Sequence, residues 1–252
     1  MKKIKSYKQF IKESESFDYN DMIDYTLLED SSTEEDLKEL CEKANKLGVK
    51  SVCVLPKFVK LVSNCLADSK VLVCTVVSFP GGDNSLDEKI SETKKVIADG
   101  ADEVDMVLNY KMLQLDGETS KEYLVEEVKS LADICHDNVN KDGEKVILKV
   151  IVESGLLTNE ETKISTHVCI EAGADFIKTS TGKVAVGAEM DKIQTMFDTI
   201  KSEGSSMNIK ASGGIRTAEQ ITSMIGIVDR FGMGFGSVDK INGIISDVES
   251  SY

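Results

Sequence analysis

Short apolar runs alternate with longer amphipathic stretches along this chain. The runs span 22–26, 51–55, 71–77, 103–108, 146–152, 176–179, 208–211 and a last one within 230–236. Several are rich in Val and Ile and apolar at consecutive positions, as parallel strands covered by helices on their outer face and buried on both should be. Eight strand candidates result. Between them, apolar positions recur at helical spacing. Leu37, Leu40, Cys41, Ala44 and Leu47 form one stripe, and Leu124, Val128, Leu131 and Cys135 a second. Ile193, Met196, Phe197 and Ile200 form a third, and Ile221, Met224, Ile225 and Val228 a fourth. Each reads as the face a helix turns to a core. Ser32 with Glu35, and Thr158 with Glu161, have capping-box spacing and mark helix starts.

An internal echo supports repeated βα units. Asp99-Gly100-Ala101-Asp102 precedes Val104-Asp105-Met106-Val107, and Ala172-Gly173-Ala174-Asp175 precedes Phe176-Ile177-Lys178. In each, a glycine with positive φ would end a helix just before a strand begins. Eight such units in 252 residues predict one TIM-type (β/α)8 barrel in the α/β class. We expect a single domain over 1–252, with an N-terminal extension over about 1–20 and a C-terminal tail over about 247–252. A doubly wound open sheet is the alternative, disfavoured because no Gly-rich dinucleotide fingerprint follows the first strands.

Three strand runs break their apolar pattern with a lysine: Lys149, Lys178 and Lys210. One strand lysine is ordinarily an exposed edge, but a closed barrel has no edges. Residues at the C-terminal ends of barrel strands face the active site. Asp24, Cys53, Asp105, Lys149, Lys178 and Lys210 all fall in or near such ends. Crowded cations should lower each other's pKa. A lysine brought from ~10.4 toward ~7–8 becomes an amine nucleophile at neutral pH. The pattern therefore points to Schiff-base chemistry on a carbonyl substrate. Asp105 is expected beside Lys210, neutralising a lysine and holding it for proton transfer.

Composition narrows the partners. The formal net charge of −14 repels nucleic acid and anionic membranes, so neither is expected. It repels phosphorylated metabolites as well, so a site for one needs its own lysines and backbone amides. Gly213-Gly214, ahead of Ile215-Arg216-Thr217 and a helix, offers such amides, and Gly232-Met233-Gly234-Phe235-Gly236-Ser237 would complete the cradle. No apolar run is long enough to span a membrane, and no apolar segment follows the basic Met1-Lys2-Lys3-Ile4-Lys5. Six cysteines without a C-x-x-C pair suggest reduced thiols and a cytoplasmic protein. His136 and His167 lie in helix-like segments without ligand spacing, so we expect no metal and no cofactor.

Three motifs, in order, resemble the deoxyribose-phosphate aldolase family. They are Ala101-Asp102-Glu103-Val104-Asp105-Met106-Val107, Phe176-Ile177-Lys178-Thr179-Ser180-Thr181-Gly182-Lys183-Val184-Ala185-Val186 and Lys210-Ala211-Ser212-Gly213-Gly214-Ile215-Arg216-Thr217. The resemblance runs from about Asp24 to the last residue. It implies a metal-free class I aldolase on a TIM barrel, interconverting 2-deoxy-D-ribose 5-phosphate with acetaldehyde and D-glyceraldehyde 3-phosphate. Lys178 would form the Schiff base, Lys210 would perturb it and join the proton relay, and Asp105 would be the carboxylate partner. Asp24, Thr26, Cys53, Lys149 and Thr179 would line the pocket. Gly182, Lys183, Gly213, Gly214, Gly234, Gly236 and Ser237 would serve the phosphate. Tyr252 would aid proton transfer at the acetaldehyde carbon. Two departures stand out: the family's Gly-x-Ser-Ser after strand eight is absent, and Ala211 sits where many members carry proline.

Rival readings are another Schiff-base aldolase with a different donor, a non-catalytic phosphosugar-binding barrel, and a phosphate-binding isomerase. The last would want a Glu or His base at a strand end. The sequence sets no oligomeric state; a homodimer is the assembly entertained.

Overall fold

The computed structural model describes residues 18–115 and 118–244. Eight parallel strands close into a barrel in chain order: β1 (Ile23–Leu27), β2 (Ser51–Val54), β3 (Leu72–Val77), β4 (Glu103–Val107), β5 (Ile147–Ile151), β6 (Phe176–Lys178), β7 (Asn208–Ser212) and β8 (Arg230–Gly234). β8 pairs back onto β1, with Asp24 opposite Gly232. A helix follows each strand: α1 (Glu34–Leu47), α2 (Val59–Cys65), α3 (Leu86–Ala98), α4 (Glu118–His136), α5 (Asn159–Glu171), α6 (Met190–Ser202), α7 (Ala218–Met224) and α8 (Phe235–Ile241). This is the single-domain TIM barrel that the alternating pattern predicts.

The strands are buried on both faces for two different reasons. Their outward residues, such as Val52, Val54, Val104 and Met106, join the helix stripes in one apolar cluster between sheet and helices. Leu37, Leu40, Cys41 and Ala44 supply α1's share, Leu124, Val128, Leu131 and Cys135 that of α4, and Ile193, Met196 and Ile200 that of α6. The alternate residues point into the barrel, because successive side chains on a strand face opposite ways. There a separate small apolar cluster contains Leu28, Cys53, Cys74 and Val76. Other inward positions carry charge, among them Asp24, Glu103, Asp105, Lys149, Lys178 and Lys210.

Local expectations hold with two corrections. Thr158 and Glu161 form the capping box that starts α5. The box of α1, however, joins Thr33 and Asp36 rather than Ser32 and Glu35. The Ser-Thr and Glu-Asp doublets admit two registers, and the chain takes the later one. The fourth apolar stripe also runs past its helix: α7 ends at Met224 and Ile225 is extended. Gly226, at φ +90°, turns the chain there, so Val228 reaches the core from beyond the helix. Gly100 and Gly173 have φ of +104° and +77°, as the two echoed turns require. Both histidines are structural. His136 accompanies Lys145 on Asp175, and His167 lies near Glu203 on the helical layer.

Candidate active site

Parity along the strands assembles the site. Glu103 and Asp105 are two apart on β4 and share its inner face, as do Asp24 and Thr26 on β1 and Lys210 and Ser212 on β7. Register then sets neighbours: Asp105 opposite Lys149, and Lys178 opposite Lys210. The result is a fully buried ionic layer of Asp24, Glu103, Asp105, Lys149, Lys178 and Lys210, with Arg230 almost as deep.

Asp105 is its centre. Oδ2 accepts hydrogen bonds from Lys178 Nζ at 2.7 Å and Lys210 Nζ at 2.6 Å, so two amines share one oxygen. Oδ1 accepts from Lys149 Nζ at 2.9 Å and from the Cys74 thiol at 3.2 Å. Lys149 also reaches Glu103 at 2.7 Å and Asp24 at 3.5 Å. Lys210 pairs with Asp24 Oδ2 as well. Arg230 Nη1 donates to Asp24 Oδ1 at 2.7 Å and to both Glu103 oxygens at 3.2 Å, and Ser51 Oγ donates to Asp24 Oδ1 at 2.7 Å. β8 makes room by carrying glycine: a Cβ at Gly232 would stand 3.1 Å from Lys210 Cε and 2.9 Å from Ser212 Cβ.

Mutual repulsion does not govern these lysines. Burial alone would push Lys210 down, but the Asp105 and Asp24 carboxylates outweigh it and hold the ammonium above its ordinary range. Lys149 is likewise raised, its burial overcome chiefly by Asp105. This corrects the expectation that crowding lowers every lysine: the interleaved carboxylates reverse the sign for these two. Burial would raise Asp105 too, yet Lys149, Lys178 and Lys210 hold it well below the usual carboxylate range. Asp24 is depressed by Lys210, Lys149 and Arg230 against the same burial effect. Arg230 is raised by Glu103 and Asp24 despite burial.

These shifts give stability a pH dependence. The contribution of Asp24 and Asp105 is present above the unfolded aspartate value of ~3.9 and is lost as pH falls through their lower folded values. That of Lys149 and Lys210 is complete below ~10.4 and is lost as pH rises through their higher folded values. Asp102, Glu127 and Glu153, which burial pushes up, act in the opposite sense over a smaller shift. The thermal midpoint, followed by circular dichroism, should hold between about pH 5 and 9 and fall steeply below about pH 4. A midpoint that rises from pH 5 to pH 3 would contradict this balance.

Above the ionic layer, the ends of β6 and β7 are laced together. Ser180 Oγ donates to Ser212 O at 2.5 Å, and Ser212 Oγ returns a bond to Ser180 O at 2.6 Å. Thr179 Oγ1 donates to Ser212 O at 3.0 Å and accepts from Ser212 N at 2.9 Å. Gly182, Gly213 and Gly214 follow with φ of +76°, +83° and +77°. A Cβ at Gly213 would fall 3.0 Å from Gly187 Cα, so these two loops meet backbone to backbone. Lys183, exposed, lies 3.7 Å from Glu29 on the loop after β1. Gly234 caps α8, and Gly236 and Ser237 lie within that helix. The structure thus brings Asp24, Asp105, Lys149, Lys178 and Lys210 into direct contact. Cys53 and Thr26 lie buried on the neighbouring inner face, and the glycine turns sit at the same end of the barrel. Tyr252 lies outside the described residues.

Sequence reasoning missed four contributors. Glu103 follows from Asp105 by strand alternation, and Cys74 from its register with Cys53. Arg230 had the same signal as the lysines, a cation in a strand run. Glu153 had none: it takes a left-handed conformation (φ +52°, ψ +51°), and its carboxylate accepts from Thr181 N and from Thr181 Oγ1 at 2.5 Å.

Among the described residues, two sets could present ligand atoms within 4.8 Å of one another: Cys53, Cys74 and Asp105, and Asp24, Cys74 and Glu103. Their carboxylates are already paired with Lys149, Lys210 or Arg230, and those cations oppose a metal ion. What the arrangement offers is a buried amine, a second amine on the same carboxylate oxygen, and that carboxylate as a proton carrier.

Comparison with known proteins agrees. The model of the DeoC/LacD family aldolases matches residues 21–233. The chain is 42% identical over 207 residues to the deoxyribose-phosphate aldolase of Mycoplasmoides pirum, covering 82% of this chain and 89% of that one. A crystal structure of a protein described as a putative deoxyribose-phosphate aldolase from Coccidioides immitis superposes with a TM-score of 0.81 at 33% identity, covering 90% of this chain and 85% of that one. The deoxyribose phosphate aldolase of Aeropyrum pernix, described as tetrameric, superposes at 0.78 with 27% identity over 97% of this chain and 100% of that one.

Proposed function

The chain belongs to the DeoC/LacD aldolase family, and from that membership we infer that it cleaves 2-deoxy-D-ribose 5-phosphate to acetaldehyde and D-glyceraldehyde 3-phosphate, reversibly. It is a lyase. We further propose that Lys178 is the Schiff-base lysine, with Lys210 and Asp105 as its proton-handling partners. One observation carries this assignment: the Lys178 and Lys210 amines meet on the same Asp105 oxygen inside the barrel.

Charge balance supports the choice of Lys178. The buried layer holds four basic groups, Lys149, Lys178, Lys210 and Arg230, against three acidic ones, Asp24, Glu103 and Asp105. Lys149, Lys210 and Arg230 are held above their ordinary range and stay charged, so they balance the three carboxylates. Among the described residues Lys178 is the fourth cation of that count, and releasing its proton makes the count even. Excess charge in a low-dielectric interior is costly, so this is the amine most easily discharged. Glu153, whose carboxyl burial pushes up, lies at the mouth outside this layer.

Toward cleavage, neutral Lys178 Nζ attacks C1 of the open-chain sugar, and loss of water leaves an iminium. The iminium accepts the electron pair of the C2–C3 bond once the C3 hydroxyl gives up its proton, leaving an enamine at C1–C2 and an aldehyde at C3. Asp105, with Lys210 and a water, takes that proton. D-Glyceraldehyde 3-phosphate departs, the enamine is protonated at carbon, and hydrolysis frees acetaldehyde and restores Lys178. The share proposed for Tyr252 in protonating that carbon rests on family resemblance. Glycine-turn amides after β6 and β7, with Lys183, are the proposed phosphate contacts. No metal takes part in this proposal, and a cytoplasmic setting suits its free thiols.

The test is reductive trapping. Acetaldehyde with borohydride should leave one ethyl group on the protein, mapped by peptide mass to Lys178. Labelling that persists in a Lys178→Ala protein which still turns over substrate would sink the assignment. Acetaldehyde acting as donor with several acceptor aldehydes separates this reading from other Schiff-base aldolases, and turnover separates it from a binding-only barrel.

A further inference from the structure

We propose that Cys53 and Cys74 form an oxidisable dithiol inside the barrel, closed to a disulfide by a hydroperoxide, and that closure switches off carbon–carbon bond cleavage. The two residues are register partners on the adjacent strands β2 and β3. Neighbouring strands run about 4.8 Å apart, within the Cα separation of roughly 4.4–6.8 Å that a disulfide needs. Both side chains face the barrel axis, where curvature draws the Cβ atoms together. Their sulfurs and an Asp105 carboxylate oxygen all lie within 4.8 Å of one another. All six cysteines are free thiols in this structure.

Most buried cysteines are inert because burial suppresses the thiolate. Cys53 departs from that rule. The adjoining Cys74 side chain, with the Lys210 and Lys178 cations, holds its thiol below the ordinary range despite burial and Asp105. Cys74 shifts the opposite way, raised chiefly by burial and by Cys53, so the pair divides into an attacking and a resolving thiol. Access follows from the proposed reaction: a channel that admits the sugar carbonyl to Lys178 admits a smaller peroxide.

The chemistry balances without another reactant. The Cys53 thiolate attacks one peroxide oxygen and the O–O bond breaks. The departing oxygen takes a proton and leaves as water, or as an alcohol from an organic hydroperoxide. Cys53 is now a sulfenic acid. The Cys74 sulfur attacks it, the S–O bond breaks, and hydroxide leaves as water with the Cys74 proton. Two thiols are oxidised by two electrons, and the peroxide is reduced. The cost falls on Asp105, since Cys74 can no longer donate its S–H to Oδ1, and Lys149 Nζ, 3.3 Å from that sulfur, must shift. A displacement of about 1 Å at a proton-transfer group costs on the order of 10²-fold in rate.

The inhibition arm and peroxide access rest on the proposed function, whereas the pairing of the two sulfurs rests on their geometry, so cross-link and turnover are read separately. The full chain is treated with hydrogen peroxide, alkylated, digested and mapped, and deoxyribose 5-phosphate cleavage is assayed in parallel. We expect a Cys53–Cys74 cross-linked peptide, a rate loss of about 10²-fold, and recovery of both with dithiothreitol. Cys74→Ser and Cys74→Ala proteins should form no such link and should lose activity that dithiothreitol does not fully restore, because an unresolved Cys53 oxidises further. Cys41 and Cys65, another close thiol pair on α1 and α2, serve as the internal comparison. Cys53 and Cys74 still alkylatable after inhibition, a link confined to Cys41 and Cys65, or a Cys53–Cys74 link with unchanged turnover would each overturn the proposal.

Discussion

A Lys178→Met protein is expected to lose turnover by about 10⁴-fold or more while folding at least as stably as the parent. The first half follows from the Schiff-base role, because removing a covalent nucleophile leaves only the binding and polarising groups. The second half is less ordinary. Truncating a buried ion pair is usually destabilising, since it strands the partner charge. Here Asp105 keeps Lys149 and Lys210, at 2.9 Å and 2.6 Å, so no carboxylate is stranded. A buried charge goes instead, and methionine fills similar space without a charge to desolvate. Calorimetry decides it. A midpoint lower by more than about 4 °C, roughly a kcal/mol in a chain this size, would mean that Lys178 carries structural charge and that the balance is wrong.

The same reasoning shows what was legible from residues alone. The barrel was readable because each strand is apolar at consecutive positions, and the interruptions at Lys149, Lys178 and Lys210 stood out against that background. Closure then made convergence unavoidable. What the sequence could not yield was sign. Three lysines seen by themselves suggest depressed pKa values, whereas Lys149 and Lys210 are raised by Asp24, Glu103 and Asp105, partners as distant in the chain as β1 is from β7. Charge interleaving of this kind depends on register, and register depends on the closed sheet. Lys89 makes the complementary point. On a helical wheel it reads as a solvated lysine of α3, yet it is fully buried, donating to Gly82 O and Val107 O and pairing with Glu127 at 2.8 Å. A long side chain that turns inward to meet loop carbonyls leaves no periodic trace. The capping register at Thr33 and the early end of α7 were open for a humbler reason, because adjacent residues of like chemistry satisfy the same pattern.

Asp105→Leu should cost both folding and chemistry, and it separates the two through pH. Removing this carboxylate leaves Lys149, Lys178, Lys210 and Arg230 facing only Asp24 and Glu103 in a dry interior. Breaking a buried ionic cluster at one partner costs about 3–5 kcal/mol. For a chain of this length that is a fall in melting temperature of roughly 6–20 °C. The lysines can reduce the penalty by discharging, so their folded pKa values drop below the unfolded ~10.4. The unfolded chain then binds more protons than the folded one, and stability rises with pH through the neutral and alkaline range. The parent is flat there, because its lysines are held above the unfolded value and stay protonated in both states. A positive slope of melting temperature between about pH 6 and 9 in the variant is therefore the signature, and a flat or falling profile would refute the ionic account. Turnover of the folded fraction should drop by about 10²–10⁴-fold, the range for losing a general acid–base group. Adding Lys178→Met to Asp105→Leu removes one of the stranded cations. The double variant should then regain stability over the single one, a coupling that independent sites would not show.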